Sequence, residues 1–146
     1  LLLQNGVNIN DNDNNEITND KIQGKIALIN FWSTFCRPCI AEMPALNDLY
    51  NKHKSQHEFI FLSFTSDDEL MIKNLKKEYN IEYNIYSITR EECYRLNLQN
   101  GFPTTIIIDT FGKVYYIKSG GSSSPEKARE IIEQEIEPIL LKVLKN

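Results

Sequence analysis

Two cysteines three positions apart, in the stretch Cys36-Arg37-Pro38-Cys39, are the residues of this chain best suited to chemistry. At that spacing, on the opening turn of a helix, two thiols share a face and can close a ring by forming a disulfide. A cysteine at a helix N-terminus faces backbone N–H groups that no carbonyl claims and the positive end of the helix dipole. Both favour thiolate over thiol, and the thiolate is the nucleophile. Cys36 is therefore the candidate attacking residue, with Arg37 adding positive charge beside it. Cys39, one turn inside, is the candidate that resolves a mixed disulfide. Pro38 has a fixed φ and no N–H to satisfy, so it fits an early helix position and stiffens the turn. No cofactor is called for beyond the redox-active disulfide Cys36–Cys39 itself.

Other chemistry fits the residues less well. A single close pair of cysteines does not make a four-ligand zinc site, and no metal is expected. The remaining cysteine, Cys93, lies near Leu96 in the short helix expected over 89–98 and reads as a buried structural thiol. His53 and His57 read as solvated residues at a helix end. The run Asp11-Asn12-Asp13-Asn14-Asn15 has a calcium-loop flavour. However, Glu16 replaces the sharp-turn glycine and Ile22 the bidentate glutamate, so that reading is rejected.

The elements that must position the dithiol follow from periodicity. Lys25 to Trp32 is a nearly continuous apolar run and predicts a buried strand. From Cys36 to about Lys54, Ile40, Met43, Leu46, Asn47 and Tyr50 recur at helical spacing. Glu58 to Thr65 predicts a second apolar strand, and the acids Asp67, Asp68 and Glu69 open a helix to about Tyr79. A short strand over 85–88 and a short helix over 89–98 follow. Strands over 104–109 and 114–118 flank a hairpin at Thr110-Phe111-Gly112-Lys113. Pro125 suits the first turn of the last helix, whose apolar face is Ile132, Ile136, Ile139/Leu140 and Val143, with a kink expected at Pro138. Residues 4–20, rich in Asn and Asp, predict a loose hairpin or loop. The expected organisation is an N-terminal hairpin or loop extension over 1–24 and one α/β domain over 25–146. In that domain a central mixed sheet carries helices on both faces.

Bulk properties agree with one globular domain: 146 residues, 41% hydrophobic and 25% charged. A net charge of −4 with its 16 basic residues scattered argues against nucleic acid or a polybasic membrane surface. Apolar runs such as Ile26 to Ile29 are far too short to span a bilayer. Leu1–Leu3 have no basic region before them and Gln4-Asn5-Gly6 follows at once, so no signal peptide is read there. A monomer is expected.

The segment from Asn30-Phe31-Trp32 through Cys36-Arg37-Pro38-Cys39 to Glu42-Met43-Pro44 closely resembles the active-site segment of the TlpA/ResA-like branch of the thioredoxin superfamily. Gly101-Phe102-Pro103-Thr104-Thr105-Ile106-Ile107-Ile108-Asp109, followed by Phe111-Gly112-Lys113, resembles that branch's second signature. The resemblance covers about residues 24–118 well and the final helix loosely, and residues 81–98 match the branch's insertion. It implies a thioredoxin-like fold and a thiol–disulfide oxidoreductase that reduces protein disulfides. It also implies a dithiol electron donor, which in this branch can be membrane-embedded, and an extracytoplasmic setting in the periplasm or cell envelope, often with a membrane tether.

Several residues gain roles from the resemblance. Pro103 falls where the family has a cis-proline beside the dithiol, shaping the groove that receives a substrate backbone. Trp32 and Phe35 cover the dithiol with apolar surface. Asn30 replaces the buried Asp of ordinary thioredoxins, and Glu42 matches the acid this branch carries one turn past the second cysteine. Phe35 stands where the family more often has Trp. Phe102, beside the dithiol, gives a Gly-Phe-Pro-Thr that also resembles the protein disulfide isomerase branch. Three other readings stay open at this point: a disulfide oxidant or isomerase using the same dithiol, a peroxidase of the peroxiredoxin type, and a thioredoxin-like binding module without turnover. The peroxidase is disfavoured because such a nucleophile usually lacks a resolving cysteine three residues on. The intact pair of thiols disfavours the binding module.

Overall fold

The computed structural model describes residues 9–10 and 16–145. The first described elements are two short antiparallel strands, β1 (Ile9–Asn10) and β2 (Glu16–Ile17), then a one-turn helix α1 (Asn19–Ile22). The Thr18 hydroxyl caps that turn by accepting from the Lys21 N–H. Helix α1 was not expected, since four residues carry no readable period. The run Asp11–Asn15, whose calcium-loop reading is rejected on its sequence, lies outside the described residues.

Five strands form the main sheet: β3 (Ile26–Trp32), β4 (Phe59–Thr65), β5 (Ile85–Ser87), β6 (Thr104–Ile108) and β7 (Val114–Ser119). Their order is β5-β4-β3-β6-β7, with β3, β4 and β5 parallel and β6 and β7 antiparallel to their neighbours. The sheet is thus mixed, and central β3 is buried at every position. That burial on both faces is why β3 reads as an unbroken apolar run instead of an alternation.

The helices are α2 (Arg37–His53), α3 (Glu69–Tyr79), α4 (Arg90–Leu96), α5 (Pro125–Ile131) and α6 (Glu137–Leu144). Side-chain caps start α3, α4 and α5: Asp68 accepts from Met71 N–H, Thr89 from Glu92 N–H and Ser124 from Lys127 N–H. Successive residues of β3 point to opposite faces and so feed two cores. Ile26, Leu28 and Trp32 pack with Met43, Leu46, Ile72, Ile132, Ile136 and Leu140 of α2, α3 and the C-terminal helices. Ala27, Ile29 and Phe31 pack on the other side with Ile17, Ile22, Cys93 and Leu96. Helices therefore cover both faces, the α/β thioredoxin-like arrangement expected.

The last helix departs from expectation in one respect. Ahead of Pro138, where the sequence predicts a kink, a π-helical turn over Ile132–Ile136 precedes α6, and the Glu137 N–H bonds the Ile132 carbonyl. Pro138 has no N–H and its ring crowds the carbonyl four residues back. Widening the preceding turn by one residue absorbs both effects before the proline is reached.

Candidate active site

Strand β3 ends at Trp32, and Ser33-Thr34-Phe35 lead into the N-terminus of α2. Asp67, in the turn after β4, clamps this leader: its carboxylate accepts from both the backbone N–H (2.8 Å) and the hydroxyl of Thr34. Cys36 is the N-cap residue of α2, and its sulfur accepts from the Cys39 N–H at 3.3 Å. The sulfur thus faces the unclaimed amide of the first turn, where a thiolate is stabilised. Cys36 and Cys39 are joined by a disulfide, with their Cα atoms 5.2 Å apart. Their exposure differs: Cys36 is half-buried and Cys39 is 1% exposed. The outer sulfur is the accessible one.

Around the pair, Arg37 and Phe35 are exposed, Phe35 at 87%, and Pro38 is half-buried. Trp32 lies wholly inside the core cluster that also contains Cys39, its indole N–H donating to the Ser63 hydroxyl at 2.8 Å. It therefore supports the dithiol from beneath, while Phe35 projects outward. The Phe102–Pro103 peptide bond is cis. Pro103 is buried, and Phe102 packs against both cores and meets Tyr94 of α4 in a tilted ring contact, 5.4 Å between centroids. A Cβ at Gly121 would lie 3.3 Å from Pro103 Cγ, 3.6 Å from Pro38 Cβ and 3.7 Å from Glu42 Oε2. Gly121 thus marks the point where the proline before β6, the dithiol turn and Glu42 converge.

Glu42 is one turn past Cys39 on α2 and is 4% exposed. Asn30 of β3 donates its side-chain amide to Glu42 Oε1 at 2.9 Å and to Thr105 Oγ1 at 3.2 Å. Burial pushes the Glu42 carboxyl up to about 7, while the Asn30 hydrogen bond and the Lys118 charge hold it down. A carboxyl with its midpoint near neutrality is matched to accept and release protons at ordinary pH. The nearby Tyr83 hydroxyl is buried, without a hydrogen-bond partner among the described residues, and is held protonated by burial and by Glu42's charge.

Cys93 lies apart on the opposite face, fully buried. Burial, with Asp67 and Glu92 adding negative charge, pushes its thiol up to about 12. Among the described residues, no group of three metal-ligating side chains converges and no helix is long and apolar enough to cross a membrane. Sequence reasoning did not find the roles of Asp67, Lys118 and Gly121 at this site. Asp67 was legible only as a helix-opening acid. The other two enter through strand pairing and a loop return that local sequence does not encode.

Comparison with known proteins agrees with this geometry. The chain is 28% identical over 131 residues to the thiol-disulfide oxidoreductase ResA of Bacillus thuringiensis subsp. konkukian, covering 90% of this chain and 73% of that protein. Among solved structures it superposes on a thioredoxin-family thiol:disulfide interchange protein from Chlorobium tepidum with a TM-score of 0.68 at 24% identity. That match covers 88% of this chain and 91% of the other. It also superposes on StoA from Bacillus subtilis with a TM-score of 0.67 at 17% identity, covering 85% and 93% respectively. These structural likenesses show a shared fold. The AhpC/TSA family matches residues 5–117, from ahead of β1 into β7 and across the dithiol and Pro103, and the chain belongs to that family.

Proposed function

We propose that this protein is a thiol–disulfide oxidoreductase that reduces protein disulfides through Cys36 and Cys39. The observation that carries the reading is the asymmetric disulfide: Cys36 is the N-cap of α2 with its sulfur on an amide of the first turn, and Cys39 is buried one turn inside. In the reduced protein the Cys36 thiolate attacks one sulfur of a substrate disulfide. The Cys36–substrate bond forms, and the second substrate sulfur leaves as a thiolate and takes a proton from solvent. Cys39 then gives its proton to the Glu42 carboxylate and attacks Cys36 Sγ. This closes the Cys36–Cys39 disulfide and expels, as a thiolate, the substrate sulfur that Cys36 had attacked; that thiolate takes the proton back from Glu42. Two electrons have passed to the substrate, and a dithiol donor restores the pair by the same exchange run in reverse.

Phe35, Arg37, Pro38, Phe102 and Pro103 are the surface against which a substrate chain would lie, with Trp32 backing it from the core. The similarity to ResA supports protein thiol substrates and an extracytoplasmic setting. The protein should accelerate insulin reduction by dithiothreitol well above buffer. A rate equal to that of the Cys36→Ser/Cys39→Ser double variant would defeat the proposal. The midpoint potential of the pair, set against the extracytoplasmic poise, separates a reductant from an oxidant or isomerase.

A further inference from the structure

A carboxyl as buried as Glu42 ionises only if its surroundings compensate the charge. From its own helix it has Cys39, one turn back. From β3 it has the Asn30 amide, and from β6 the Thr105 hydroxyl that shares that amide. The segment between α3 and β5 contributes the neutral Tyr83 hydroxyl, and Gly121 faces Oε2. None of these is a cation.

The cation comes from β7. Lys118 is the cross-strand partner of Thr105, which in turn is the partner of Asn30. Directly paired residues project to the same face of a sheet. Thr105 points at the Asn30 amide, so Lys118 projects to the side where Glu42 lies. Its side chain is 26% exposed, and its Nζ lies 3.3 Å from Glu135 Oε1. The Tyr116 hydroxyl, on the same face of β7, donates to that same Oε1 at 2.6 Å. Glu135 belongs to the π-helical turn Ile132–Ile136. Inserting one residue per turn re-aims the side chains that follow, a device that recurs at functional sites.

We propose that Lys118 is a positioning residue of this site: tethered on β7 by Glu135 of the π-helical turn, its ammonium is the counter-charge that allows the Glu42 carboxylate to form. The direction of its effect on Glu42, downward against the burial cost, agrees with that placement. Glu135 pulls the other way, because each share of the ammonium it neutralises is withheld from Glu42. The proposal rests on the reading of Glu42 as the proton acceptor only for its catalytic meaning, and the two can be tested apart.

The test is a carbon-13 NMR titration of the Glu42 carboxyl in the disulfide form, run beside the pH profile of mixed-disulfide resolution. Lys118→Met keeps the length of the side chain and removes its charge. The Glu42 midpoint should rise by about half a unit or more. Glu135→Gln keeps an acceptor for Tyr116 and removes the competing anion, so the midpoint should fall. Lys118→Arg should return it close to the parent value. A purely structural role would not move the first two variants in opposite directions. An unmoved midpoint in Lys118→Met, or a shift of the same sign in Glu135→Gln, overturns the proposal. A midpoint that moves as expected while the resolution profile stays fixed upholds the Lys118–Glu42 coupling and removes Glu42 as the base.

Discussion

Cys39 and Cys93 are both buried, at 1% and 0% exposure, one under each face of the same sheet, yet their neighbours have little in common. Cys93 is packed among Phe31, Phe64, Tyr86 and Leu96, and the charges acting most strongly on it, Asp67 and Glu92, are negative. Burial and those charges both oppose a thiolate. Cys39 is linked to Cys36 and followed one turn later by Glu42, itself bonded to Asn30 and within reach of the Lys118 charge. Burial alone silences a thiol. On the proposed reading, Cys39 is usable because Glu42, with its midpoint near neutrality, shares its helix face and Lys118 supplies the counter-charge.

The sharpest way to break this comparison is to remove the base. Glu42→Gln keeps the shape and the contact with Asn30 but accepts no proton. Resolution of the mixed disulfide should slow by a factor of about 10² or more, while the first attack by Cys36 is spared. Stopped-flow kinetics separates the two steps. In the parent, resolution should rise with pH towards the Glu42 midpoint of about 7, and the variant should lose that dependence. The same substitution has a stability signature whose sign is fixed. Glu42 titrates at about 7 folded against an ordinary 4.5, so the folded state holds its proton more tightly. The stability this contributes is present below the ordinary value and is lost as pH rises through about 7. Glu42→Gln escapes that loss. Its stability relative to the parent should therefore improve by roughly 2–3 kcal/mol between about pH 5 and pH 8. Denaturant unfolding at the two pH values reads this directly, and a constant difference would mean that Glu42 is not perturbed.

A smaller effect sharpens the other side of the comparison. Cys93→Ala should leave disulfide reduction within a factor of about two and lower stability by about 1–2 kcal/mol, the scale of a small cavity in a packed core. Turnover lost in proportion to the missing thiol would place Cys93 in the chemistry and end the contrast.

Much of the frame was legible in the sequence because its signals are local. The apolar run of β3, the helical period after Cys36 and the acids that open α3 each lie within a few residues of the element they define. The dithiol was legible for the same reason: its meaning depends on a strand-to-helix junction only a few residues long. Other features were not. The pairing of Lys118 with Thr105 depends on antiparallel register, and the Asp67 clamp on Thr34 joins positions 33 residues apart. The π-helical turn answers a proline that lies beyond it, so the period of Ile132 and Ile136 alone predicts a regular helix. Gly121 reads locally as loop, and only the return of the chain past Pro103 and Pro38 gives it a place.

The division of labour between the two cysteines is the central claim, and trapping tests it most directly. Cys39→Ser and Cys36→Ser proteins, each reduced and mixed with a disulfide substrate, are followed by intact-protein mass spectrometry. The account predicts that a Cys36–substrate mixed disulfide accumulates in Cys39→Ser, because attack proceeds and resolution cannot. Cys36→Ser should remain unmodified. A stable adduct on Cys39 in the Cys36→Ser protein, formed as fast as that on Cys36, would contradict it.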